Sequence, residues 1–111
     1  MKDGIIELDT VAGKELGFTS DKFMEGNRSQ IGSYLWKRGE YIYISIIASR
    51  EKNKDHLSKL FATILSKGYG IKVPTPSKLM KGILRKKGFE RTKEHSEQHG
   101  NVEVWVKEKN R

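Results

Sequence analysis

The sequence predicts one α/β (α+β) domain, a mixed and mostly antiparallel sheet with one parallel crossover and helices packed on both faces. Three observations carry this expectation. The run at 40–49 holds Tyr41, Ile42, Tyr43, Ile44, Ile46 and Ile47, all β-formers, and is the strongest strand in the chain. From Asp55 the apolar spacing changes from two to 3.6, with Leu57, Leu60, Phe61, Ile64 and Leu65 on one helical stripe. A short strand and a second helix follow, and two strands joined through a helix imply a crossover between parallel neighbours.

Taken in order, residues 1–30 are the least legible. Ile5, Ile6 and Leu8 predict a short strand, and Val11 to Leu16 a helical turn ended by Gly17. Phe18 and Phe23 are expected to pack inward, with Ser20 and Asp21 as caps of a further turn. Gly26, Asn27 and Gly32 mark loops. Tyr34, Leu35 and Trp36 then read as strand and Lys37-Arg38-Gly39 as a hairpin turn into the strand at 40–49. Apolar residues at both parities of that second strand predict a central position covered on both sides. The first helix is expected over Asp55–Lys67, with Gly68 beyond its end, and a strand at Ile71–Val73 is closed by Pro74 and Pro76. Ser77 is a good N-cap for a second helix running to Lys87, with Leu79, Met80, Ile83 and Leu84 as its buried stripe. After Gly88, Phe89 opens an extended piece, Glu94 to Gly100 forms a polar hairpin loop, and Val102, Val104 and Val106 alternate in a last strand. Trp36 and Trp105 are expected between sheet and helix.

Composition narrows the function classes. With 111 residues there is room for one domain, and 35% hydrophobic against 32% charged residues is an ordinary globular balance. The absence of cysteine excludes a disulfide scaffold, cysteine-ligated zinc and a thiol nucleophile, and fits a reducing, cytoplasmic setting. Asp3, Glu7 and Asp9 interrupt the first ten residues, so no signal peptide or membrane span is expected. The net charge of +8 opens the possibility of a polyanionic partner. Lys78, Lys81, Arg85, Lys86, Lys87, Arg91 and Lys93 cluster against Glu90 alone, but aromatic residues do not alternate with them, which argues against a stacking platform for single strands. His95 and His99 are four apart, yet they fall in a polar stretch without a third ligand, so no metal is expected.

The element order, with YLWKRGEYIYIS at 34–45, KGYGIKVPTP at 67–76 and ILRKKGFERT at 83–92, resembles the GNAT superfamily of N-acetyltransferases. It is similar in particular to short acetyltransferase-like proteins of bacteriophages and prophages, over roughly residues 31–108. The resemblance implies acetyl-CoA as cofactor, an amine-bearing protein or small molecule as acceptor, and a pantetheine arm in a wedge between two splayed parallel strands. The arm would follow the backbone at Ile47 and Ala48. The pyrophosphate would rest on the segment entering the first helix, where unpaired N–H groups favour an anion. In this chain that segment reads Arg50-Glu51-Lys52-Asn53-Lys54-Asp55. Arg50 matches the family's pattern, Asn53 replaces a glycine, and Asp55 replaces a second glycine with a negative charge. Lys52 and Lys54 offset that charge. The tyrosine acid common in the family is Leu84 here, and an asparagine near the second helix is absent, with Thr75-Pro76-Ser77 in its region.

Glu40, Tyr41, Tyr43 and His56 are the titratable substitutes near the central strand and helix start. Their structural roles are equally plain: Glu40 as a strand-edge charge, the tyrosines as amphipathic sheet residues, His56 as a surface helix residue. Two functions follow from this reading. One is an acyl-CoA-dependent N-acyltransferase of reduced size. The other is an inactive binding module of the same fold, holding nucleic acid or an acidic protein surface through Lys78, Lys81, Arg85, Lys86 and Lys87. An unpaired sheet edge would also permit dimerisation.

Overall fold

A computed structural model describes residues 1–26, 32–48, 55–98 and 100–109. The chain runs β1 (Gly4–Ile6), α1 (Val11–Glu15), β2 (Tyr34–Arg38), β3 (Tyr41–Ile46), α2 (His56–Ser66), β4 (Gly70–Pro74), α3 (Lys78–Lys86), β5 (Glu90–Ser96) and β6 (Gly100–Lys107). The strands form one sheet in the order β1-β2-β3-β4-β6-β5. Four of the pairings are antiparallel, and β3 with β4, joined through α2, is parallel. The expected mixed sheet with a single parallel pair is therefore present.

Local chemistry sets the boundaries. The hairpin turns at Gly39 and Glu40, not at Lys37, because Gly39 takes the left-handed φ of 62° that a tight turn demands. β2 therefore continues through Lys37 and Arg38. Ser77 caps α3 by accepting from the Met80 amide at 3.2 Å, and Thr10 caps α1 by accepting from Gly13 at 3.0 Å. Ser20 and Asp21 cap no helix. Ser20 donates its amide to Asp9 instead, and Phe23 donates its amide to the Thr19 carbonyl within a turn. The segment 94–100, expected as a loop, is mostly ladder: β5 stays paired through Ser96 opposite Gly100. Gly70 is needed for space, since a Cβ there would stand 2.6 Å from the Tyr41 ring lying across it.

The register sorts the sheet into two unlike faces. Ile6, Leu35, Ile42, Ile44, Ile71, Val73 and Trp105 share one face and are buried. They join Leu16 and Phe18 beside α1, Leu60, Phe61, Ile64 and Leu65 of α2, Leu84 of α3, and Phe89 in a single core. Phe18 and Phe23 sit in it at a ring separation of 5.5 Å, and Phe61 and Phe89 at 5.2 Å. Lys37 lies on this same face, its ammonium held by Asp3 at 2.7 Å and 5.7 Å from the Tyr69 ring centre.

The opposite face carries Ile5, Tyr34, Trp36, Arg38, Tyr41, Tyr43, Ser45 and Lys72. No helix among the described residues contributes to it. The expectation of helices on both faces is thus corrected. Both parities of β3 hold apolar surface, but Tyr41 and Tyr43 carry hydroxyls that tolerate water, so their side needs no cover. Trp36, expected between sheet and helix, is 42% exposed on this open side, whereas Trp105 is buried as expected. Leu79 also departs from expectation: it is 78% exposed, outside the α3 stripe. No helix among the described residues is long and apolar enough to cross a membrane.

Candidate functional site

The parallel seam is short. β3 and β4 are paired at Tyr41 with Gly70, Ile42 with Ile71, and Tyr43 with Lys72, and there the ladder stops. β3 nevertheless continues to Ile46 and β4 to Pro74. Beyond Tyr43 the two strands keep their outer partners, β2 and β6, and lose each other. Beyond the pair of Tyr43 with Lys72, β3 finds no ladder partner on β4, and the next residue of β4 to face it, Pro74, has no N–H to donate. A buried peptide group without a partner is costly, so such a gap is a natural seat for a ligand with amide groups of its own.

The residues expected to line the gap fall into three groups. Arg50, Lys52, Asn53 and Lys54 lie outside the described residues. Ile47 is half-buried and packs on the core. Ala48 is already engaged: its amide donates to Ser33 Oγ at 2.9 Å and its carbonyl accepts from the Met24 amide at 2.8 Å. The Ala48 backbone is thus already hydrogen-bonded within the chain. Asp55 enters α2 with a left-handed φ of 56° and makes no side-chain cap. It holds the conformation that a glycine would adopt freely, and its carboxylate is exposed at the helix start.

The titratable candidates are dispersed. Tyr41 begins β3, about 13 Å from Ser45 by strand rise, and with Glu40 in the turn before it sits at the closed end of the seam. Glu40 is bound by Lys109 at 3.0 Å. The Tyr41 hydroxyl donates to Glu108 at 2.7 Å, and that hydrogen bond raises its pKa, with desolvation acting the same way. Tyr43 is the last paired residue, at the root of the gap, and donates to Glu94 at 3.3 Å. Lys72 beside it pairs with Glu94 at 2.7 Å and lies 4.2 Å from the Tyr41 ring centre. Burial alone would lower the Lys72 pKa. The Glu94 hydrogen bond and the neighbouring negative charge outweigh it, so the ammonium is held above its ordinary value.

His56 is not the surface residue expected. Both of its ring nitrogens are shielded from solvent and have no hydrogen-bond partner, and its ring stands 6.3 Å from that of Phe23. Leu84 is fully buried in the core, as its stripe position predicts, and cannot act as an acid. His95 is exposed on β5, and His99 lies outside the described residues. Among the described residues no group of three metal-ligating side chains occurs.

The basic helix is partly committed to structure. Lys81 pairs with Glu103 at 3.1 Å, and the Arg85 guanidinium lies 5.6 Å from the Trp105 ring centre. Arg85 and Lys86 occupy the last turn of α3, where a cation complements the helix dipole. Lys78, Lys86 and Lys87 remain exposed.

Sequence reasoning missed the open aromatic face. Its signal was present: Tyr34, Trp36 and Arg38 alternate along β2, and Tyr41 and Tyr43 along β3. No family model, curated protein or solved structure matches this chain.

Proposed function

We propose that the domain is an acyl-CoA-dependent N-acyltransferase of reduced size, with acetyl-CoA as donor and an amine as acceptor. The observation that carries this reading is the three-pair parallel seam that stops at Tyr43 and Lys72 while both strands run on. An amide-bearing pantetheine arm fits the stretch of β3 beyond Tyr43 that finds no ladder partner on β4. When bound, the cofactor would supply an activated thioester carbonyl to the acceptor amine. The chain's own part is to hold the arm along β3 and to keep the pyrophosphate at the entry to α2. Tyr43, at the root of the gap and hydrogen-bonded to Glu94, is the hydroxyl placed to relay a proton there.

A titration calorimeter with acetyl-CoA tests the reading. Micromolar binding is expected. Asp55→Gly should tighten it several-fold, because a carboxylate about 4 Å from a phosphate charge costs roughly 1 kcal/mol in water. No heat at millimolar cofactor, or an unchanged affinity in Asp55→Gly, would remove the acyl-carrier reading.

The second reading, a binding module that has lost its chemistry, is favoured by Leu84, which is buried where the resemblance implies an acid. It would leave Lys78, Lys86 and Lys87 to hold nucleic acid or an acidic protein. Salt-dependent retention on heparin, lost in a Lys78/Lys86/Lys87 triple glutamate variant, together with silence toward acetyl-CoA, would favour it.

A further inference from the structure

The open sheet face holds a cleft that shares Tyr43 with the proposed acyl site and extends away from it across β2. Tyr34, Trp36 and Arg38 of β2, Tyr43 and Ser45 of β3, and Gln98 line an open depression of about 440 Å³. Sites of this size take small ligands. Trp36 is paired directly opposite Tyr43. Such cross-strand neighbours have Cβ atoms about 5 Å apart, so the two side chains adjoin on this face. Arg38 lies two residues beyond Trp36 on the same face, about 7 Å along the strand.

Charge decides what this depression can hold. Arg38 forms no ion pair among the described residues. Asp3, whose carboxyl it helps to keep ionised, is bound by Lys37 at 2.7 Å and by the Gly39 amide. Glu94, on the other flank, is neutralised by Lys72 at 2.7 Å. Among the described residues this leaves one guanidinium beside exposed Trp36 and half-buried Tyr34 and Tyr43.

We infer that this cleft binds a small molecule that joins a planar ring to an anionic group. The ring stacks on Trp36 with Tyr34 and Tyr43 beside it, and the anion takes the fork of Arg38. A single such unit fits better than a nucleic-acid strand. A strand needs a row of cations along its phosphates, and among the described residues of this sheet face Arg38 is the one cation outside an ion pair.

Inosine 5′-monophosphate is a suitable probe, with inosine (ring only) and ribose 5-phosphate (anion only) as its halves. Tryptophan fluorescence reads the site directly, because Trp36 is exposed and Trp105 is buried. The nucleotide should quench saturably, and each half should bind at least tenfold more weakly. Arg38→Gln should weaken the nucleotide at least tenfold, the effect of losing a charged hydrogen bond, and leave inosine unchanged. Trp36→Phe should abolish the quench.

Three fluorescence outcomes overturn the inference: no quench at millimolar nucleotide, ribose 5-phosphate binding as well as the nucleotide, or indifference to Arg38→Gln. Binding of a short oligonucleotide without binding of the mononucleotide overturns it too. If a variant fails to fold, amide shifts of Tyr34, Tyr43 and Ser45 in the unaltered protein decide, since they must move with the nucleotide. Nucleotide binding alongside silence toward acetyl-CoA leaves this inference standing while the acyl-carrier reading falls.

Discussion

Leu79 and Leu84 allow one chemical change to be made twice on the same helix, with opposite expectations. Leu84 is fully buried and Leu79 is 78% exposed. At about 100° per residue, Met80, Ile83 and Leu84 centre the buried arc of α3, and Leu79 falls roughly 90° from that centre. Leu84→Ala removes side-chain atoms surrounded by the core that includes Phe61 and Phe89. Leucine-to-alanine changes in such sites cost about 2–5 kcal/mol, through lost transfer energy and the cavity left behind. For a domain of this size a loss of about 3 kcal/mol lowers Tm by roughly 10–20 °C. Leu79→Ala gives up little burial and should stay within about 0.5 kcal/mol of the parent. Urea denaturation of both variants, with equal m values, is the assay. A difference between them smaller than about 1 kcal/mol would refute the placement of α3 against the sheet.

Two further outcomes follow from polar contacts. Glu103 has its pKa lowered chiefly by the Lys81 hydrogen bond, with Trp105 and Arg91 adding to it. The unfolded chain therefore binds that proton more readily, and the stabilisation is full above the ordinary value of 4.5 and is lost as pH falls through the lower folded value. Glu103→Gln should flatten the acid limb of a Tm-against-pH curve and leave the neutral-to-basic limb unaltered. Ser77→Ala removes the cap on the Met80 amide and should cost about 1 kcal/mol by thermal melting, whereas Ser77→Asp should retain most of it.

Element order was legible because the period of apolar residues changes cleanly from two to 3.6 and back. What escaped had partners distant in sequence. Lys37 read as a turn residue, yet it is buried through Asp3, 34 positions away, and Tyr69. β5 has the polar sequence ERTKEHS and read partly as a loop. It is a strand because β6 supplies the ladder and because its other edge pairs with no strand among the described residues, a position that charged side chains suit. The open face escaped for the converse reason. A tyrosine counts as apolar in a pattern, and only its hydroxyl partners, Glu108 and Glu94, show that its side is wet. At the candidate site, the place of Tyr43 on the central strand and of Asp55 at the start of α2 was readable. The engagement of Ala48 by Ser33 and Met24 was not, since no local pattern encodes it.

The sheet is in effect two three-stranded units, β1-β2-β3 and β4-β6-β5, bridged by three residue pairs, and each unit is drawn from one continuous half of the chain. Bending between the halves disturbs few hydrogen bonds and leaves both ladders whole. Opening at that join would then be a motion of its own, separable from melting, and anything lodged between β3 and β4 would act as a wedge in a hinge whose leaves are already built.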